Sequence, residues 1–100
     1  MIKHIVAWKL KDSAQGTSKA ENATRIKREL EELRHKLPFA LKIEVGINFN
    51  ASAAAYDVVL YSEFASREDL ECYQNAPEHL ALAEFIGTVR EERVVVDYEA

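Results

Sequence analysis

Residues 2–10, Ile2-Lys3-His4-Ile5-Val6-Ala7-Trp8-Lys9-Leu10, alternate between two sets of side chains. Successive side chains of a strand point to opposite faces, so Ile2, His4, Val6, Trp8 and Leu10 share one face, while Lys3, Ile5, Ala7 and Lys9 share the other. Period-two alternation rich in β-branched residues reads as a strand. The first face is the more apolar and is expected to meet a helix layer. The second still carries Ile5 and Ala7, so this strand requires cover on both sides.

Working outward, residues 11–17 read as a polar loop containing Gly16. Ser18 followed by Glu21 matches a capping box and sets a helix start. Ala20, Ala23, Ile26, Leu30, Leu33 and Leu37 then recur at steps of three or four, forming one apolar stripe. Arg28 with Glu32, and Glu32 with Lys36, are spaced for ion pairs on the wet side, each worth about 0.2–0.5 kcal/mol. Pro38 lacks an N–H and disfavours helical geometry at Leu37, which ends the helix. From 39 to 49, Phe39, Leu41, Ile43, Val45, Ile47 and Phe49 alternate with Ala40, Lys42, Glu44, Gly46 and Asn48, which predicts a strand with one buried face. A small-residue loop spans 50–55, and 56–64 reads as a third strand apolar on both sides. Ser66 and Asp69 open a short helix carrying Leu70 and Tyr73. Pro77 suits the first turn of the next helix, with Leu82, Phe85, Ile86 and Val89 as its stripe. Residues 92–99, with Val94-Val95-Val96, predict a last strand buried on both sides.

The order β-α-β-β-α-(α)-β predicts an α+β class: a ferredoxin-like βαββαβ arrangement with a four-stranded antiparallel sheet and an extra short helix, in one domain over residues 1–100. Its helices cover one face of the sheet. The other face would carry Ile5, Ala7, Val59, Tyr61 and one side of the valine run. An apolar face of this extent marks an interface, and a two-fold homodimer through Ile5, Val59 and Tyr61 is the expected cover; the alternative is a monomer with a partly apolar sheet.

Composition narrows the classes of function. With 48% hydrophobic and 30% charged residues, three Gly and two Pro, the balance is globular. Net charge is −4, and Lys and Arg are dispersed along the chain, which argues against a nucleic-acid partner. No apolar run approaches the ~20 residues that span a bilayer, and the first residues lack a signal-peptide layout. A single cysteine, Cys72, permits no internal disulfide and suits a reducing compartment, so the cytoplasm is the expected location. Glycine-rich phosphate loops, a serine nucleophile elbow and zinc-spaced Cys or His pairs are missing, and neither a metal nor a cofactor is expected.

Candidate chemistry rests on a few side chains. His4 lies on the strand face assigned to the helices; it is either a core histidine satisfied by a neighbour or a member of a pocket. Tyr73 and His79 flank the Asn75-Ala76-Pro77 break between the short helices. Such a break can form a pocket mouth, where a neutral imidazole accepts a proton and a phenol donates to a developing oxyanion. The structural alternative makes Tyr73 a core ring and His79 a first-turn residue bonding a backbone group. Asp97 either orients a histidine or faces solvent. His35 sits among charged neighbours on the wet side of the first helix, and Cys72 has no basic neighbour in sequence to favour a thiolate.

Together, Met1-Ile2-Lys3-His4-Ile5-Val6, Gly46-x-Asn48, Tyr56-Asp57-Val58-Val59-Leu60, Tyr73 with Pro77-x-His79, and Val96-Asp97-Tyr98 resemble the stress-responsive A/B barrel (Dabb) family across nearly the whole chain. The resemblance implies a ferredoxin-like protomer in a dimeric α/β barrel. Most members have no assigned reaction, and the first expectation is therefore a small, largely apolar ligand held between helices and sheet, with Val6, Trp8, Leu60 and Phe85 as its ligand-binding wall. A plant member is a polyketide cyclase that closes a poly-β-keto chain by aldol chemistry without a cofactor. On that alternative, His79 is the general base, Tyr73 holds the substrate oxygen, His4 assists by hydrogen bonding and Asp97 orients His79. A further alternative is a quinol or haem monooxygenase of the related dimeric barrels. Family members often carry a second histidine just before the proline, where this chain has Ala76; a relay or metal role at that position is not expected.

Overall fold

The computed structural model describes residues 1–100. Strand β1 (Ile2–Leu10) leads through a short hairpin, β2 (Ser13–Ala14) and β3 (Thr17–Ser18), into helix α1 (Lys19–Lys36). Strands β4 (Ala40–Ile47) and β5 (Val58–Phe64), helices α2 (Arg67–Asn75) and α3 (Pro77–Val89), and strand β6 (Arg90–Glu99) complete the chain. The main sheet has the order β4-β5-β1-β6, with every neighbouring pair antiparallel. Insertion of β5 between β1 and β4 makes the ferredoxin-like arrangement expected from the element order. All three helices lie on one side of it.

Local chemistry accounts for the element boundaries. Ser18 Oγ accepts from the Glu21 N–H at 3.2 Å and caps α1; Ser66 does the same for α2 through Asp69 N–H at 3.1 Å. The segment expected as a plain polar loop is instead a two-residue hairpin. Gln15 and Gly16 both take positive φ, 55° and 69°, as a turn matched to strand twist requires. The α1 stripe is buried as expected at Ala23, Ile26, Leu30 and Leu33, whereas Ala20 is exposed. The realised ion pairs on α1 are Arg25–Glu29 and Lys27–Glu31, not those through Glu32, because Lys27 and Glu31 also bond the Val45 backbone and Arg25 lies over Phe85.

Strand β1 keeps its alternation along its length, with Ile2, His4, Val6, Trp8 and Leu10 all buried against the helix layer. Strand β4 does not. A register shift between Ala40 and Lys42 makes Leu41 a bulge residue, so Ala40 and Ile43, three apart, both face the core and Leu41 is 45% exposed. Ile47 sits opposite buried Val58 but on the outer edge of the sheet, and Phe49 lies beyond the strand, fully exposed. Strand β5 begins at Val58 rather than Tyr56. Residues 56 and 57 instead tie the sheet's end together: Asn48 Nδ2 donates to Tyr56 O, Asn48 N–H to Asp57 O, and Asp57 Oδ2 accepts from Leu10 N–H at 2.7 Å. Gly46 lies nearby, where a Cβ would make a tight approach of 3.3 Å to Val59 Cγ1.

The valine run differs most from expectation. β6 is an edge strand, and Val94, Val95 and Val96 are each about half exposed in the protomer. Val95 pairs with Val6 on the helix side, where no helix reaches the edge; Val94 and Val96 pair with Ala7 and Ile5 on the open side. On that open side, Val59 and Tyr98 are also exposed, while Ile5 and Tyr61 are half-buried. No helix is long and apolar enough to cross a membrane.

Candidate functional site

Between the sheet and the helices lies a cavity of about 280 Å³. β1 supplies His4, Val6 and Trp8 to its floor, and β5 supplies Leu60. Leu30 of α1 and Leu82 and Ile86 of α3 close the apolar wall. The polar members are His4, Gln74, His79, Arg90 and Arg93.

His79 reaches this wall for a reason visible in the helix break. Ala76 caps α3 without a side-chain hydrogen bond, Pro77 occupies the first helical position, and His79 stands two residues further on. The last carbonyls of α2 have no intrahelical partner. His79 Nδ1 fills one of these vacancies, 3.0 Å from Gln74 O. A carbonyl only accepts, so Nδ1 carries the proton and Nε2 of the neutral ring keeps its lone pair. Burial lowers the His79 pKa below its ordinary value, against the opposing Gln74 hydrogen bond, and the nearby His4 and Arg93 lower it further. A neutral imidazole with Nε2 as acceptor is the form suited to removing a proton.

His4 is 2% exposed, and its Nδ1 pairs with Asp97 Oδ1. The two residues face each other across the β1–β6 ladder, which sets this pairing directly. The family resemblance implies that Asp97 orients His79; it pairs with His4 instead, because its register partner is His4 and His79 is held by a backbone carbonyl. The carboxylate fixes the proton on Nδ1 and leaves Nε2 as the other polar atom of the ring. Ser62 donates to His4 O at 3.2 Å and completes the local bonding.

Tyr73 lies behind this wall. It is fully buried, its ring centroid is 4.7 Å from that of His79 and 5.2 Å from that of Phe64, and Phe64 in turn meets His4 at 6.5 Å. A run of four rings thus links the two histidines. The Tyr73 hydroxyl is the one buried side-chain polar atom without a hydrogen-bond partner, and burial pushes its pKa well above the ordinary phenol value. Tyr73 does not line the cavity, so it does not occupy the substrate-oxygen position that the family resemblance implied. Phe85 is also elsewhere: it packs against the core edge with the Arg25 guanidinium 3.7 Å from its ring centroid. Val6, Trp8 and Leu60 do line the cavity. Cys72 is exposed, as is His35. No group of three or more His, Cys, Asp or Glu side chains is arranged to hold a metal ion.

Gln74, Arg90 and Arg93 escaped sequence reasoning. The signal for Gln74 was its place in the last turn of α2, next to Tyr73. That for the arginines was the Arg90-Glu91-Glu92-Arg93 run before the valines, whose spacing of three conflicts with simple alternation.

Comparison with solved structures agrees with this architecture. A dimeric protein of unknown function with a ferredoxin-like fold from Bacteroides fragilis is 34% identical, with 99% of this chain and 95% of that chain covered and a TM-score of 0.78. A dimeric ferredoxin-like protein of unknown function from Thermobifida fusca superposes with a TM-score of 0.83 at 20% identity, over 99% and 90% of the two chains. A hydroxynitrile lyase from Passiflora edulis does so with a TM-score of 0.80 at 21% identity, over 97% and 90%; at these lower identities the likeness is one of fold. No curated protein sequence matches the chain. The model of the stress-responsive A/B barrel domain matches residues 2–100, and the chain belongs to that family, Dabb.

Proposed function

We propose that residues 1–100 form one domain of a cytoplasmic homodimer that binds a small, largely apolar carbonyl compound in the cavity between helices and sheet, where His79 serves as general base. The observation carrying this reading is the His79 Nδ1–Gln74 O hydrogen bond, which leaves Nε2 as the acceptor of a neutral ring in the cavity wall. In the step envisaged, a C–H bond α to the carbonyl breaks, its proton passes to Nε2, and the electron pair moves to the carbonyl oxygen as an enolate. His4, held by Asp97, faces the same cavity and helps to position the bound carbonyl group. Tyr73 acts as a positioning residue, its ring setting the plane of His79. No cofactor is required for this step.

The open face of the sheet supports the homodimer. Gly46, Val59, Ala7 and Val94 form one cross-strand row, and Glu44, Tyr61, Ile5 and Val96 the next. Leaving such a face wet forfeits about 25 cal/mol per Å² of apolar area. Tyr61 donates to Glu63 at 2.5 Å, and this bond pushes its pKa up to about 12, so the phenol stays neutral on that face.

Deuterium exchange at the carbons flanking the ketone of methyl levulinate tests the base. With His79→Ala, exchange should slow by about 10²–10⁴-fold relative to the native chain. An unchanged rate would remove His79 from this role and leave the cavity as a binding site only.

A further inference from the structure

Strand geometry puts residues three apart on opposite faces. Arg90 and Arg93 break that expectation. Arg93 pairs with Trp8 and Arg90 with Leu10, both helix-face residues, because the β1–β6 register shifts between Lys9 and Leu10. Glu91 is the extra residue of this bulge, and its insertion brings both guanidinium groups to the cavity side of the sheet. Bulges commonly re-aim side chains in this way beside functional sites. Lys9–Glu92 forms an ion pair one position away, yet neither arginine forms a salt bridge within the chain or donates a side-chain hydrogen bond. No carboxylate lines the cavity, and Asp97 on the same strand is engaged by His4.

We infer that the cavity selects an organic carboxylate, a small keto acid by the chemistry of the proposed base, with Arg90 and Arg93 holding the carboxylate and the apolar wall taking its carbon frame. The inference rests on the reading of the cavity as a carbonyl-binding site and adds the charge of the ligand to it. Guanidinium forks match carboxylate geometry through paired hydrogen bonds. Arg93 is exposed and Arg90 half-buried, so the anion sits at the solvent side while the carbonyl reaches the histidines. A volume near 280 Å³ lies at the low end of small-molecule pockets and suits a compact frame. An anion there also offsets the Arg93 charge that disfavours a proton on His79, so binding the correct ligand strengthens the base.

Calorimetric titration of the full chain with levulinate, methyl levulinate and inorganic phosphate tests this. Levulinate should bind at least about tenfold more tightly than its neutral ester, and Arg93→Met and Arg90→Met should each erase most of that preference, with Arg93→Lys retaining part of it. Equal affinity for acid and ester, or a preference that survives both methionine variants, overturns the inference. So does phosphate binding as tightly as levulinate, since the organic frame would then contribute nothing. The two readings fail separately. Carboxylate preference without His79-dependent exchange removes the base and keeps the anion site; His79-dependent exchange of the ester without carboxylate preference does the reverse.

Discussion

On β1, His4, Val6 and Trp8 face the helices and the cavity, whereas their chain neighbours Ile5 and Ala7 face outward with Val59, Val94 and Val96. The inward residues of β1 are almost completely buried, with His4 paired to Asp97 through its ring and to Ser62 through its carbonyl. The outward side is apolar but uncovered in the protomer, with Val59 40% and Val96 54% exposed. Under the proposed function, one set of strands serves a binding cavity on one face and assembly on the other, and a substitution should disturb one face while largely sparing its opposite.

The largest effect expected is on the inward side. Phe64 is fully buried between His4 and Tyr73, and Phe64→Ala should cost about 3–5 kcal/mol of stability by urea denaturation. A cost under 1 kcal/mol would mean that the ring run is not a packed unit. On the outward side, Val59→Asp should weaken dimerisation by about 100-fold or more, measured by sedimentation, because it places an unpaired carboxylate in the apolar row. Retention of the native dimer would show that the two faces have been assigned the wrong way round.

Two smaller effects sharpen the inward side. Tyr73→Phe removes a buried hydroxyl that has no partner, so stability should stay level or rise by about 1 kcal/mol. A clear loss would reveal a hydrogen bond that the protomer lacks. The smallest effect concerns pH. His79 has a folded pKa below its unfolded value near 6.5. Above that value both states are neutral there and the group contributes no slope. As pH falls below 6.5, the unfolded chain takes up the proton first, so native stability declines until the folded pKa is reached. His79→Gln should flatten this part of the stability profile, and a variant curve parallel to the native one below pH 6.5 would contradict the assigned shift.

Much of this comparison is legible in the sequence, since it depends on local rules. Strict alternation at 2–10 separates the faces of β1, Ser18 and Ser66 mark helix starts through short-range caps, and Pro38 and Pro77 punctuate the helices by their missing N–H. These effects act within a few residues, so side-chain order alone specifies element type and sequence. Tertiary structure decided what depends on partners far away in the chain. The bulges at Leu41 and Glu91 arise from the fit of one strand to its neighbour, and they reverse the face of every residue beyond them, exposing Leu41 and turning Arg90 to the cavity. Asp97 meets His4 across 93 residues through ladder register, while His79 turns to an orphaned carbonyl only where two helices abut. Local periodicity and caps thus set which strands and helices exist and which residues of β1 are inward; strand register, bulges and the packing of α2 against α3, which depend on how whole elements fit together, decided which side chains meet in the cavity.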